Sequence, residues 1–162
     1  MDHNRELSTA IEAALRGFAT DIPRQEGGGS WRLDVRERAA LPTAMTLSFF
    51  ARRRGEMDEV LVVAFDCWRR EDGGLKLSAD LTNERGVILA EGPELGVDQP
   101  DSPGFAAFVE DFKKFLASIR EQVVGELLRR SLGPESSEAR PANRRPDPTS
   151  VNIQKSAAVD LL

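Results

Sequence analysis

The sequence is poor in the residues from which most catalytic and metal sites are built. It contains one cysteine, Cys67, one histidine, His3, and no tyrosine. A single cysteine excludes a disulfide within the chain. One cysteine and one histidine also cannot form the ligand set of a structural zinc site. A serine or cysteine triad needs a histidine base, for which His3 is the only candidate. We therefore expect no catalytic residues, no metal and no cofactor, and we expect Cys67 to be a buried structural residue.

Long apolar runs and an excess of positive charge are also missing. The longest apolar run, residues 60–65, is far shorter than the ~20 residues that a membrane-spanning helix needs. Residues 1–6 contain no apolar segment, so we expect no signal peptide. The net charge is −5, whereas binding to nucleic acid or to an anionic membrane requires a basic surface. We expect a cytoplasmic protein without nucleic-acid or membrane partners. The 18 arginines against 4 lysines suggest a GC-rich bacterial genome.

Hydrophobic periodicity predicts a helix followed by a run of strands. Residues 4–19 place their apolar side chains on one stripe at 3.6 residues per turn, as in an amphipathic helix. The next segments alternate apolar and polar residues, which is typical of half-buried strands. Residues 59–69 are apolar on both faces and are expected to form a central strand. Hairpin-type turns between the segments predict an antiparallel meander of about five strands. The predicted strands cover residues 31–36, 45–52, 59–69, 75–82 and 87–90.

The longest predicted element is a helix from Pro103 to about Leu132. Proline suits the first helical position, and Gly133 followed by Pro134 ends the helix. Nine apolar residues form a stripe ~120° wide that should pack on the sheet. The stripe consists of Phe105, Phe108, Val109, Phe112, Phe115, Leu116, Ile119, Val123 and Leu127.

These elements predict the fold class α+β, with residues 1–132 forming a single domain. Residues 133–162 contain four prolines and balanced charges and are expected to be a disordered tail. Within the tail, residues 151–162 are more apolar and could form a short recognition motif or a frayed end. The order of one helix, about five strands and a long helix resembles that of several unrelated small folds. They include some secretion chaperones and helix-grip ligand binders, and the likeness concerns architecture alone.

A carboxylate in the predicted central strand is the first candidate functional group. Asp66 interrupts an otherwise apolar set of alternating residues and lies two positions before Trp68. A desolvated carboxylate needs a partner. Asp66 could form a structural ion pair or lie at the end of the sheet. Alternatively, Asp66 and Trp68 could line a ligand pocket between a curved sheet and the long helix.

Arginines at the ends of the predicted strands are the second candidate group. Antiparallel pairing brings Arg36, Arg38, Arg69 and Arg70 to one end of the sheet. Such a cluster could bind an anion or an acidic partner surface. Arginines at strand ends also serve as solvated residues that prevent strands from aggregating at the edge.

Surplus apolar residues are the third candidate group. Val124, Leu128 and Leu132 lie ~100–180° away from the main stripe of the long helix. Phe50 and Ile88 add apolar area to the mixed face of the sheet. The N-terminal helix could cover the extra residues of the long helix, or a second subunit or another protein could do so. We therefore expect a non-catalytic protein-interaction module of the adaptor, chaperone-like or immunity type. It would bind another protein or itself, and small-molecule binding is the alternative.

Overall fold

The computed structural model describes residues 3–23, 30–38, 41–99 and 102–132. An N-terminal helix, five strands and a long C-terminal helix follow one another along the chain. The strands form one antiparallel sheet in the order β1-β2-β3-β4-β5, so the predicted meander and the α+β fold class are confirmed. The predicted tail, 133–162, lies outside the described residues. The elements are α1 (His3–Asp21), β1 (Ser30–Arg38), β2 (Leu41–Arg53), β3 (Glu56–Arg69), β4 (Leu75–Asn83), β5 (Ile88–Val97) and α2 (Ser102–Leu132).

The turn between β2 and β3 is a two-residue hairpin loop. Arg54 and Gly55 both have positive φ angles, 51° and 82°, which is the pattern of a type I′ turn. This turn has the twist that the flanking strands need, so β2 and β3 continue to the loop without a gap. The ladder between them shifts register once, between Phe49 and Phe50.

Both helices pack on the same face of the sheet, which we call the inner face. The ring of Phe65 in β3 lies 5.7 Å from that of Phe108 and 6.3 Å from that of Phe112, measured between centroids. On α1, Phe18 makes an edge-to-face contact with Phe49 of β2 at 6.1 Å. All nine residues of the predicted α2 stripe are buried, which confirms the predicted phase of this helix.

The last strand is longer than the sequence pattern predicts. β5 reaches Val97, whereas the alternation ends at residue 90. Gly92, Pro93 and Gly96 interrupt the pattern, and such residues are rare in strand interiors but tolerated at a sheet edge. Close packing explains one glycine, because a Cβ atom at Gly92 would lie 2.8 Å from a backbone oxygen of β4 and 3.1 Å from the ring of Phe115.

Candidate interaction surfaces

The lone cysteine lies in the core on β3. Cys67 is 1 % exposed, and burial raises the pKa of its thiol to about 12. The neighbouring Arg69 lowers this pKa and Asp66 raises it, but both effects are smaller than that of burial. The thiol is therefore protonated at neutral pH and is a poor nucleophile. Among the described residues, no group of three histidine, cysteine, aspartate or glutamate side chains could hold a metal ion.

Asp66 and Trp68 lie on the outer face of the sheet, opposite the helices. Their neighbours Phe65 and Cys67 face the core, and successive side chains of a strand point to opposite faces. Trp68 is 36 % exposed, and the ammonium group of Lys76 lies 5.8 Å from the centroid of its ring. The two residues therefore do not line a space between the sheet and α2. This corrects the expected pocket: β3 is apolar on both faces, so its sequence alone does not tell which face the helices cover.

Carboxylates cluster on this outer face. In the ladder between β4 and β5, Asp80 lies directly opposite Glu91, a like-charge pairing that destabilises a sheet. Burial raises the pKa of Asp80 above its ordinary value of 3.8, and the charges of Asp66 and Glu91 raise it further. Elsewhere on the same face, the carboxylate of Glu94 lies 3.5 Å from the ammonium group of Lys76. The centre of the outer face is thus acidic.

Arg70 has a structural partner. Its guanidinium donates to both carboxylate oxygens of Asp72, with Nε–Oδ1 and Nη2–Oδ2 distances of 3.1 and 2.8 Å. It also reaches Asp98 beyond β5, with an Nη2–Oδ1 distance of 3.2 Å. These contacts connect the turn between β3 and β4 to the segment that follows β5. Arg70 therefore holds two parts of the chain together.

The other arginines of the predicted anion patch do not form one cluster. Arg69 donates to the carbonyl oxygen of Gly73 at 3.3 Å. Its register position belongs to the inner face, whereas that of Arg36 belongs to the outer face. The backbone of Arg38 ends β1, but its side chain lies outside the described part of the chain.

The extra apolar residues of α2 lie where α1 no longer covers the helix. Arg120 of α2 donates to the carbonyl oxygen of Asp21, the last residue of α1, at 3.3 Å. Two turns later, Leu128 is 46 % exposed, whereas Val124 is partly buried against the core. The side chain of Leu132 lies outside the described residues. The core therefore covers Val124, whereas Leu128 stays exposed.

Further exposed apolar residues lie at the same end of the molecule. Val87 directly precedes β5, and Ile88 is its first residue. Each is 53 % exposed. Arg130 of α2 binds Glu84 in the turn before them at 2.8 Å, so this turn lies beside the last turn of α2. Leu128 lies ~200° around the helix from Arg130, on the side of α2 that faces away from this turn. We call Val87, Ile88 and Leu128 the apolar end. By register, Ile88 lies on the outer face opposite Thr82. Phe50 lies on the same face near this end of β2, partly buried and 5.4 Å from the guanidinium of Arg32.

A groove of about 240 Å³ separates the N-terminal halves of the two helices. It was not predicted from the sequence, although four of its residues follow the i, i+3, i+4, i+7 spacing of one helical face on α1. The Nδ1 atom of His3 is buried there without a hydrogen-bond partner among the described residues. The groove is lined by His3, Glu6, Leu7, Ala10, Phe105, Ala106, Val109 and Glu110.

No protein-family model matches this sequence. Searches of curated proteins and of solved structures likewise found no similar protein. Neither of the two described helices is long and apolar enough to cross a membrane. Inferences about function therefore rest on the geometry of this chain.

Proposed function

We propose that this chain is a non-catalytic protein-binding module and that the apolar end is its contact surface. The observation that carries the proposal is the exposure of Leu128, at 46 %, on a helix whose main apolar stripe is buried. Fully burying an exposed leucine side chain contributes about 1.5–3 kcal/mol, and Leu128, which is already half-buried, would contribute a part of this. A partner that covers the end of α2 would bury this side chain.

The surroundings of the apolar end support this proposal. Charged residues lie at the same end of the molecule, including Glu84, Glu126 and Arg130. Protein interfaces commonly combine an apolar centre with a polar rim. The ion pair between Glu84 and Arg130 also holds the two segments in place before a partner binds, which lowers the entropic cost of association.

The partner in this proposal is another protein or a second copy of the chain. An adaptor, a chaperone-like protein or an immunity-type protein would each need a rigid scaffold with an apolar contact surface. We place the protein in the cytoplasm, because a single unpaired thiol suits a reducing compartment.

The test is the substitution Leu128→Glu. It puts a charge into the proposed contact and should prevent binding, because an unpaired buried charge is costly. The control is Gln122→Glu, which adds the same charge at another exposed position of α2. Light scattering would measure self-association, and affinity purification with mass spectrometry would identify partners. We expect the wild type and the control to retain the same partner, and Leu128→Glu to lose it with an unchanged melting temperature.

Two results would contradict the proposal. Equal binding by Leu128→Glu and by the wild type would show that the apolar end is not the contact surface. A strongly lowered melting temperature of Leu128→Glu, compared with Gln122→Glu, would show that Leu128 serves the fold.

A second candidate function is the binding of a small molecule in the groove between the helices. The buried and unpaired Nδ1 atom of His3 favours it, because a buried polar atom without a partner costs stability unless a ligand satisfies it. A volume of about 240 Å³ is small for a ligand site and suits a fragment-sized molecule. Thermal-shift measurements with small aromatic and aliphatic alcohols and amines would test this, because Glu6 and Glu110 line the groove. A compound that stabilises the wild type and Ala13→Leu, but not the groove-filling Ala10→Leu, would support the groove as its site. Equal responses of both variants would contradict it.

A further inference from the structure

We infer that two copies of this chain associate through their β1 strands, antiparallel and with Leu33 opposite Leu33, to form a continuous ten-stranded sheet. The inference concerns the sheet edge and does not depend on the apolar end. It rests on three observations: the difference between the two edges, the exposed apolar residues of β1, and the order of charges along this strand.

The two edge strands of the sheet differ in how well they are protected. β5 contains Pro93, Gly92 and Gly96, and its ladder with β4 shifts register twice. Proline and bulges prevent another strand from pairing with an edge. β1 contains neither proline nor glycine, and its ladder with β2 is regular from Ser30 to Arg36. β1 therefore presents a straight row of backbone groups to which a strand can be added.

β1 also leaves apolar side chains exposed on the inner face. Trp31 and Val35 are 38 % and 41 % exposed, whereas Leu33 between them is packed against the core. α1 contacts β2 more extensively than β1, so the helix does not cover the edge. A strand placed alongside β1 would bury both residues, since cross-strand neighbours on one face lie about 5 Å apart.

The sequence of β1 is complementary to itself in one antiparallel register. With a two-fold axis at Leu33, Trp31 lies opposite Val35 of the second copy on the inner face. On the outer face, Arg32 lies opposite Asp34 of the second copy, and the same pair recurs on the other side of the axis. Opposite charges in these positions attract, and apolar residues pack against apolar residues.

Neighbouring registers are less favourable. A two-fold axis at Asp34 would place Asp34 against its own copy and Arg32 against Arg36, which are like-charge pairs. An axis at Val35 would place Leu33 opposite Glu37. Charges that protect an edge by repulsion carry one sign, but positive and negative charges alternate along residues 32–36. The charges of β1 therefore favour pairing with a second copy, and the dimer has two β5 edges, both of them protected.

Charge reversal provides the experiment. In Arg32→Asp, two aspartates face each other at both symmetry-related contacts, and in Asp34→Arg two arginines do. Each single variant should weaken self-association at least about tenfold. An equimolar mixture of the two variants should associate as a heterodimer, because every contact then joins an aspartate and an arginine. The double variant should dimerise like the wild type. Analytical ultracentrifugation up to high micromolar concentration would measure all four samples.

A second measurement needs only the wild type. Amide hydrogen exchange would be compared in dilute and in concentrated samples. The amides on the free side of β1 should exchange more slowly as the protein concentration rises. The exchange of the β5 amides should stay unchanged. This readout does not depend on the folding of the variants. Both single variants break the contact of 3.0 Å that Arg32 makes with Asp34 of its own strand, and Arg32→Asp also removes the contact with Phe50.

Three results would overturn the inference. They are a wild type that is monomeric at high micromolar concentration, a mixture of single variants that does not associate, and β1 amides that stay unprotected. A dimer that persists in both single variants but is lost in Leu128→Glu would mean that the copies associate through the apolar end. That outcome would overturn this inference and support the proposed function. A monomeric wild type that still binds another protein through Leu128 would overturn this inference and support the proposed function.

Discussion

Arg130 and Glu84 form a bidentate ion pair between the last turn of α2 and the turn that precedes β5. The Nη1–Oε2 and Nη2–Oε1 distances are 2.9 and 2.8 Å. Arg130 also donates from Nε to Glu126, one turn earlier on α2, at 2.9 Å. The side chain of Arg130 is 14 % exposed and that of Glu84 33 %, so water screens this pair less than an ordinary surface pair. The pair connects residues 46 positions apart and holds the end of α2 against the sheet.

Arg130→Ala should lower the free energy of unfolding by about 1–2 kcal/mol, because it removes charge-assisted hydrogen bonds from a partly buried carboxylate. Arg129→Ala is the control, since Arg129 also contacts Glu126 but is 64 % exposed, and it should cost less than about 0.5 kcal/mol. Urea denaturation would measure both. Equal losses would show that the pair with Glu84 contributes nothing beyond a surface contact.

The same pair predicts a pH dependence. The hydrogen bonds from Arg130 hold the pKa of Glu84 below its ordinary value of 4.5. A carboxylate with a lowered pKa stabilises the fold above its ordinary pKa and loses this contribution as the pH falls through the lowered value. The difference in stability between the wild type and Glu84→Gln should therefore stay constant from pH 7 to about 4.5 and shrink as the pH falls below 4.5. A difference that stays constant below pH 4.5 as well would contradict the assignment.

Phe112→Ala should lower the free energy of unfolding by about 3–5 kcal/mol through lost burial and a cavity. Phe112 is fully buried, and its ring contacts those of Phe65, Phe108 and Phe115. Lys114→Ala, on the exposed side of the same helix, should change stability by less than about 0.5 kcal/mol. Chemical denaturation would compare the two variants. Similar losses would mean that α2 is rotated relative to the sheet.

Asp80→Asn should stabilise the protein at pH 7 by about 0.5 kcal/mol, because it removes a like-charge contact with Glu91. The pKa of Asp80 is raised, so ionisation of this group lowers stability as the pH rises through that raised value. The gain from the substitution should therefore fade as the pH falls towards 3.8, the ordinary pKa. Thermal melts across this range, with the exposed Asp111→Asn as a control for net charge, would show the effect. A destabilised Asp80→Asn would indicate that the carboxylate has a structural partner.

Cys67 should react with thiol reagents only when the protein unfolds. Its thiol is buried and its pKa is raised to about 12, so the reactive thiolate is scarce in the folded state. Labelling at pH 8 should follow the unfolded fraction as urea is increased. A cysteine introduced at exposed Lys114 in a Cys67→Ala background should react at once in the folded protein. Rapid labelling of native Cys67 would show that β3 opens locally.

Stability above pH 9 should depend on the same thiol. A raised pKa means that the unfolded chain releases the thiol proton first, at its ordinary value of 9.0. The contribution of Cys67 is therefore complete below pH 9.0 and is lost as the pH rises to about 12. Cys67→Ala should show a smaller loss of stability over this range. An identical loss in both proteins would mean that other groups control unfolding at high pH.

Local patterns in the sequence were sufficient to predict the helices and the order of the strands. Periodicity along α2 identified the face that contains Phe112, because burial follows the 3.6-residue repeat wherever a helix covers a core. Alternation likewise placed Leu77 and Ser78 on opposite faces of β4. β5 was predicted too short, because Pro93 and its neighbouring glycines disfavour strands in general but are accepted at an edge. Whether a strand tolerates proline or glycine at such a position depends on whether it has one neighbouring strand or two.

Three features depend on contacts between residues far apart in the chain. They are the side of β3 that carries Asp66, the partners of Arg70 and Arg130, and the exposure of Leu128. Alternation places Asp66 and Phe65 on opposite faces of β3. Only the docking of α2, about 40 positions later in the chain, buries the face that carries Phe65. Leu128 is exposed because α1 ends opposite Arg120, through a contact that spans 99 positions. Local periodicity arises from the geometry of a single helix or strand, whereas these features arise from the relative placement of several elements, which no local pattern encodes.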